Sequence, residues 1–258
     1  MSRTFGTTSN YLEIGSALVT AYPFTVACWF YSTNNTALQN LFAICDSALN
    51  TNQQWRLQLR GDAAGDPLRV VSRTTSQVDA DTTIGYSLNT WQHACGVFAS
   101  ATDRRVFLDG GNKGTNTTSN TPTGLNKTSI GLVRDSTPDS PMIGRIAEVV
   151  VWNIALSDAI VAMLAQRVHP YRIYPANIIA YWPIFGNSSP EVDLSGGGLN
   201  LTVVGTTLSD HPPVSPLFGF DMGWMGAYSV VAGGGGISIP VGDLKLGHNV
   251  LGSRGLSK

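Results

Sequence analysis

Apolar and polar residues alternate with a period of two along much of the first two hundred positions of this chain. The cleanest stretch is "QWRLQLRG", residues 54–61. Trp55, Leu57 and Leu59 fall on one face and Gln54, Arg56, Gln58 and Arg60 on the other, the pattern of a strand that packs one side and wets the other. "FTVACWFYS", residues 24–32, is apolar on both faces and is expected at the centre of a sheet covered on both sides. "WQHACGVFASATDRRVFLDGGNKGT" divides into strands at Trp91–Ala99 and Arg105–Asp109, with "DGGNKG" supplying the positive-φ residues of a tight turn. "IGRIAEVVVWN" reads as a further strand. One segment has a helical period: after Ser157 as N-cap, "DAIVAMLAQRV" places Ile160, Met163, Leu164 and Val168 on one side before Pro170 stops it.

Many short strands with a single helix predict an all-β fold, a two-sheet antiparallel jelly-roll sandwich, rather than alternating βαβ units. Composition agrees: of 258 residues 28 are glycine and 13 proline, and only 13% are charged, which suits turns and strands better than helices. No fixed repeat is present, against a propeller or a β-helix. After "SDHPPVSP" the character changes, because Pro212, Pro213 and Pro216 favour an extended path. The expected organisation is a sandwich over residues 1–210 and a Pro/Gly-rich extended arm over 211–258.

The net charge of −1 with scattered basic residues lacks the electrostatic footprint of a nucleic-acid or membrane binder. Glu13 and Pro23 interrupt the only N-terminal run resembling a leader, and no stretch approaches about 20 apolar residues; no signal peptide or transmembrane segment is expected. Cys28, Cys45 and Cys95 sit in apolar strand-like runs and read as buried free thiols. No CxxC or Cys/His cluster suggests zinc. The strand "RIAEVVVW" offers Glu148 without a second carboxylate two positions away, so it lacks the acid pair of a glycosidase. His93, His169, His211 and His248 lie in unrelated contexts. The "GGGG" at 233–236 is followed by neither a Lys-Ser/Thr pair nor a helix, which leaves it as flexible backbone rather than a phosphate loop.

"TFGTTSNYLEIG", "FTVACWFYS", "NTWQHACGVFASATDRRVFLDGGNKGT" and "SIGLVRDSTPDSPMIGRIAEVVVWNIALSDAIVAML", in that order, together resemble the laminin-G-like branch of the concanavalin A-like lectin/glucanase superfamily, whose members are jelly rolls. The segment "IIAYWPIFGNSSPEVDLSGGGLNLTVVG", residues 178–205, precedes the sandwich in many relatives and follows it here, as though permuted; neighbouring termini would tolerate this. The ending, with "DHPPV", is similar to uncharacterised phage and prophage proteins of this fold. The resemblance implies no cofactor beyond calcium at the sandwich rim, for which Asp46 and Asp135 are the loop carboxylates of suitable kind; turn capping is their other use. It also implies glycan binding through aromatic platforms, for which Trp55, Tyr171, Tyr174, Tyr181 and Trp182 are candidates if they are not core.

Phe218, Phe220, Met222, Trp224, Met225 and Tyr228 give the arm an apolar density that marks a contact surface. It either folds back or lies on a neighbouring subunit, and anchors followed by glycine-rich chain favour the neighbour. The expectation is therefore a non-enzymatic structural protein, a virion decoration or cement protein made in a host cytoplasm, whose arm binds other protein subunits. The alternative is a lectin-like carbohydrate-binding module.

Overall fold

The hydrophobic alternation becomes fifteen strands among the residues described by the computed structural model, which are 1–186 and 189–214. The arm anchors Phe218, Phe220, Met222, Trp224, Met225 and Tyr228 lie outside the described residues. In chain order the strands are β1 (Ser2–Phe5), β2 (Tyr11–Ile14), β3 (Phe24–Ser32), β4 (Leu38–Cys45), β5 (Gln54–Arg60), β6 (Pro67–Arg73), β7 (Gln77–Gly85) and β8 (Trp91–Ser100). They continue as β9 (Asp103–Leu108), β10 (Gly111–Asn116), β11 (Lys127–Ile130), β12 (Gly144–Trp152), β13 (Ile178–Trp182), β14 (Thr202–Val204) and β15 (Thr207–Ser209), with one helix, α1 (Asp158–Ala165), between β12 and β13.

Two antiparallel sheets result. One runs β10-β9-β8-β3-β12-β1-β15, with β13 also paired to β12; the other runs β14-β2-β11-β4-β5-β6-β7. Their facing sides bury a core that includes Phe24, Val26, Cys28 and Phe30 of β3 and Trp55, Leu57 and Leu59 of β5. The expectation for "FTVACWFYS" is met, since β3 lies between β8 and β12. A second cluster covers its other side, where Ala27, Cys95, Val97, Val150 and Trp152 pack under Val161 and Leu164 of α1. All three cysteines are buried free thiols.

Two readings of pattern are corrected. Gln54, Arg56 and Gln58 are not wet: each is at most 4% exposed, because the loop 131–143 folds back over β4 and β5. Its hold is visible in bonds from Asn40 Nδ2 to the Leu132 carbonyl, from Gln54 Nε2 to Asp135 and from Asn40 N to the Ser140 carbonyl. In α1 the inward residues are Val161 and Leu164, whereas Met163 is 41% exposed. The helix is only eight residues long, so there is no extended stripe. Ser157 is its N-cap by position, without a side-chain cap bond.

The turn in "DGGNKG" shows why glycine is needed. Gly110 has φ +74°, and a Cβ there would stand 2.8 Å from the Cα of Ala162 in α1. The segment after the helix completes both sheets: β13 pairs with β12, β14 with β2 and β15 with β1. A buried ion pair, Arg3 Nε to Glu191 Oε1 at 2.5 Å, ties it to the first strand.

Candidate functional site

The outward side of the seven-stranded sheet carries a patterned polar field. Cross-strand register sets three rows on it. Asn40 stands beside Gln58, then Arg69, then Asp81. The middle row runs Glu13, Ser129, Ala43, Arg56, Val71, Asp79. In the third, Lys127, Cys45, Gln54, Arg73 and Gln77 follow one another. Period-two alternation sends the neighbouring residues inward; most outward positions are polar, with Ala43, Cys45 and Val71 the apolar members of these rows.

Ion pairs organise the margins. Arg69 contacts Asp79 at 2.8 Å and Asp81 at 2.5 Å, and Glu13 receives Lys127 at 3.4 Å and Arg134 at 2.9 Å. The Asp81 hydrogen bond raises the Arg69 pKa further. Arg56 donates to Gln54 Oε1; burial lowers its pKa, Asp139 and Asp135 oppose that shift, and Arg73 adds to it. Burial pushes the Cys45 thiol up to about 12.

The centre of the field is underpaired. Eight buried side-chain nitrogen or oxygen atoms lack a hydrogen-bond partner among the described residues, and five belong to this face: Asn40 Oδ1, Arg56 Nε, Gln58 Nε2, Arg73 Nε and Asp79 Oδ1. Buried polar atoms are normally satisfied by protein, water or ligand. These five atoms have almost no accessible surface, and the face opens to solvent only along β6 and β7, where Arg69, Arg73 and Asp79 are half-buried and Asp81 is exposed.

The predicted calcium carboxylates are used as acceptors inside the protein. Asp135, buried, takes Thr51 N and Gln54 Nε2 on one oxygen and Thr137 N on the other. Asp46 accepts from Ala48 N and Asn126 Nδ2. No group of three or more His, Cys, Asp or Glu able to hold a metal occurs among the described residues. Asp135 instead anchors the loop that walls the polar face.

Of the aromatic candidates, Trp55, Tyr181 and Trp182 are core, Tyr171 is half-buried and Tyr174 is exposed. Glu148 stands on a bulge between β12 and β3 with φ +55°. It is buried, accepts from Tyr181 Oη at 2.5 Å and has His211 Nε2 at 3.0 Å, close but without the alignment of a hydrogen bond. His169 accepts the Tyr171 amide on Nδ1, which leaves Nε2 to face Tyr181 Oη at 3.3 Å. Burial and Glu148 raise the Tyr181 pKa; burial lowers that of His169. His93 packs edge-on against Trp29.

Sequence reasoning found Gln54, Arg56 and Gln58 but treated them as a solvated face, and it missed Asn40, Arg73 and Asp79. A signal was present. "QWRLQLR", "PLRVVSR" and "QVDAD" place polar groups at the same parity in three consecutive strands.

Comparison with known proteins bears on the fold. Three solved structures share the fold. A candidate carbohydrate-binding protein of Bacteroides ovatus ATCC 8483 is 16% identical with a TM-score of 0.57, covering 83% of this chain and 62% of its own. The native heptameric SAP-like pentraxin of Limulus polyphemus is 18% identical with a TM-score of 0.51, covering 64% and 81%. Domain 4 of the GH43 extracellular arabinanase of Geobacillus stearothermophilus, in complex with arabinotriose, is 21% identical with a TM-score of 0.50, covering 60% and 71%. No curated protein matches the chain. The family profile described as concanavalin A-like lectin/glucanases superfamily, of laminin-G type, matches residues 5–162, and the chain, a two-sheet sandwich with a single helix, belongs to that family.

Proposed function

We propose that this protein is a non-enzymatic carbohydrate-binding module that takes a saccharide on the polar face of its seven-stranded sheet. The observation that carries the reading is the open edge of that face along β6 and β7, where the polar side chains Arg69, Arg73 and Asp79 are half-buried and Asp81 is exposed. Planar amide, carboxylate and guanidinium groups with spare valence match sugar hydroxyls, which donate and accept at once. The fold shared with a candidate carbohydrate-binding protein and with an arabinotriose-bound domain supports it. Catalysis would need two carboxylates flanking a glycosidic bond. Asp79 and Asp81 are both engaged by Arg69, and Glu148 by Tyr181 and His211.

An array of immobilised glycans probed with the full chain tests this. Binding that is lost in Arg73→Met, with the circular dichroism spectrum retained, is the expected result; an array without signal overturns it. The finer proposal of a virion decoration protein is supported by the apolar anchors between Phe218 and Tyr228 and by the phage-like ending of the sequence. Light scattering of the full chain against a Phe218→Ser/Phe220→Ser/Trp224→Ser variant tests it, and equal masses would dismiss the arm as an intersubunit tie.

A further inference from the structure

We propose that His211 is a proton-operated latch: as an imidazolium it clasps the buried Glu148 and holds the segment Asp210–Val214 on the sandwich, and as a neutral ring it lets that segment go. This stands apart from the carbohydrate-binding reading above. His211 Nδ1 lies 2.9 Å from the Pro212 carbonyl oxygen, and Nε2 lies 3.0 Å from Glu148 Oε1. Both oxygens accept, whereas a neutral imidazole has a single N–H. A ring with two protons presents hydrogen to both; a neutral ring turns a lone pair toward one of them. The Nε2 contact is out of line for a hydrogen bond. What it contributes is therefore charge, which is lost with the proton.

Valence also separates this histidine from its neighbour. His169 accepts the Tyr171 amide on Nδ1, its Nε2 stands 3.3 Å from Tyr181 Oη, and Tyr181 Oη donates to Glu148 Oε2. One proton on Nε2 completes that chain, with His169 donating to Tyr181 and Tyr181 to the carboxylate. His169 is thus satisfied as a neutral ring, the form that burial favours. Of the two histidines linked to Glu148, His211 alone calls for a charge. Glu148 is presented to it by the bulge in β12, which holds a non-glycine residue at φ +55° and turns its N–H to the Pro183 carbonyl at 3.1 Å; bulges re-aim side chains, and such backbone strain persists where the surroundings enforce it. The Glu148 side chain is 4% exposed and that of His211 19%, so little water is at hand to replace the imidazolium.

The other ties of this segment are lighter. β15 pairs with β1, Ser2 Oγ donates to the Asp210 carbonyl, and Arg145 of β12 reaches the Asp210 carboxylate at 3.7 Å, where that carboxylate is 92% exposed. Around the ring stand Tyr181 of β13, His169, on which Arg172 also bears, and the Phe185 ring at 6.1 Å; Gly186, next in the chain, bonds Glu191, which is paired with Arg3. Histidine changes charge between pH 5 and 8, so the latch is shut at the acid end of that range and opens as pH rises. The arm expected over 211–258 starts at this residue, and an open latch moves its point of attachment back to β15.

Hydrogen–deuterium exchange of the full chain at pH 5.5 and 8.0, divided by the intrinsic rate at each pH, tests the latch. The amides between residues 207 and 214 are expected to lose about tenfold in protection at pH 8.0. Strands β3 and β8 are the control, because burial of neutral His93 makes acid the less favourable condition for the core. In His211→Gln, and in Glu148→Gln, which keeps the shape of the carboxyl group, protection between 207 and 214 is expected to be low at both pH values. In His169→Gln the pH difference is expected to persist. Equal protection of the unaltered chain at the two pH values overturns the proposal, as does a pH difference that survives His211→Gln.

Discussion

Replacing Gln58 by leucine measures what the buried polar face costs the fold. Gln58 is 2% exposed, and its Nε2 has no partner among the described residues. A buried amide donor left unpaired costs about 1–3 kcal/mol. Leucine is close in volume, and a volume-conserving exchange with repacking costs under about 1.5 kcal/mol. The balance favours the variant by about 1 kcal/mol. For a domain of this size each kcal/mol moves Tm by about 2–4 °C, so Gln58→Leu should melt a few degrees higher. Calorimetry with urea unfolding at constant m-value measures this. A variant destabilised by more than about 1 kcal/mol would show that Nε2 is well satisfied in the free protein, and the argument from unpaired atoms would fall.

Four further outcomes are expected. Arg3→Met, which strands Glu191 in a buried site, should cost about 3–5 kcal/mol, read by urea unfolding, with a loss under 1 kcal/mol refuting a role for the pair. Gly131→Ala places a Cβ 2.3 Å from the Phe5 ring at φ +80° and should lose at least about 2 kcal/mol; an unchanged Tm would contradict the close approach. Burial lowers the His93 pKa to about 3, so on acidification the unfolded chain takes a proton near pH 6.5 that the folded chain refuses. Stability therefore falls as pH drops from about 6.5 toward 3, by about 3 kcal/mol at pH 4.5, and His93→Leu should flatten that part of the profile in urea titrations. The thiols of Cys28, Cys45 and Cys95 are buried and held protonated, so an aromatic disulfide reagent at pH 8 should label none until denaturant is added; rapid labelling of the native chain would refute this.

Local pattern was enough for the strands, because a period of two with turn residues between is a property of contiguous residues. "FTVACWFYS" announced a central strand and "DGGNKG" its positive-φ turn, and the family resemblance carried by the first 165 residues agreed. What no local pattern contains is which distant segment covers a face. The alternation in "QWRLQLRG" identified a polar side correctly, but only the return of the loop 131–143 across β5 made that side a buried field rather than a wetted one. Ser2–Phe5 and the three-residue strands β14 and β15 are too short to show a period, and they exist because β14 pairs with β2 and β1 lies between β12 and β15. Glu148 has a strand-like sequence context, yet its φ of +55° follows from a bulge set by pairing with β3. Sequence determined the alternation that divides core from surface. Long-range pairing alone decided where polar groups meet without partners, because desolvation depends on what packs above a residue and not on its neighbours along the chain.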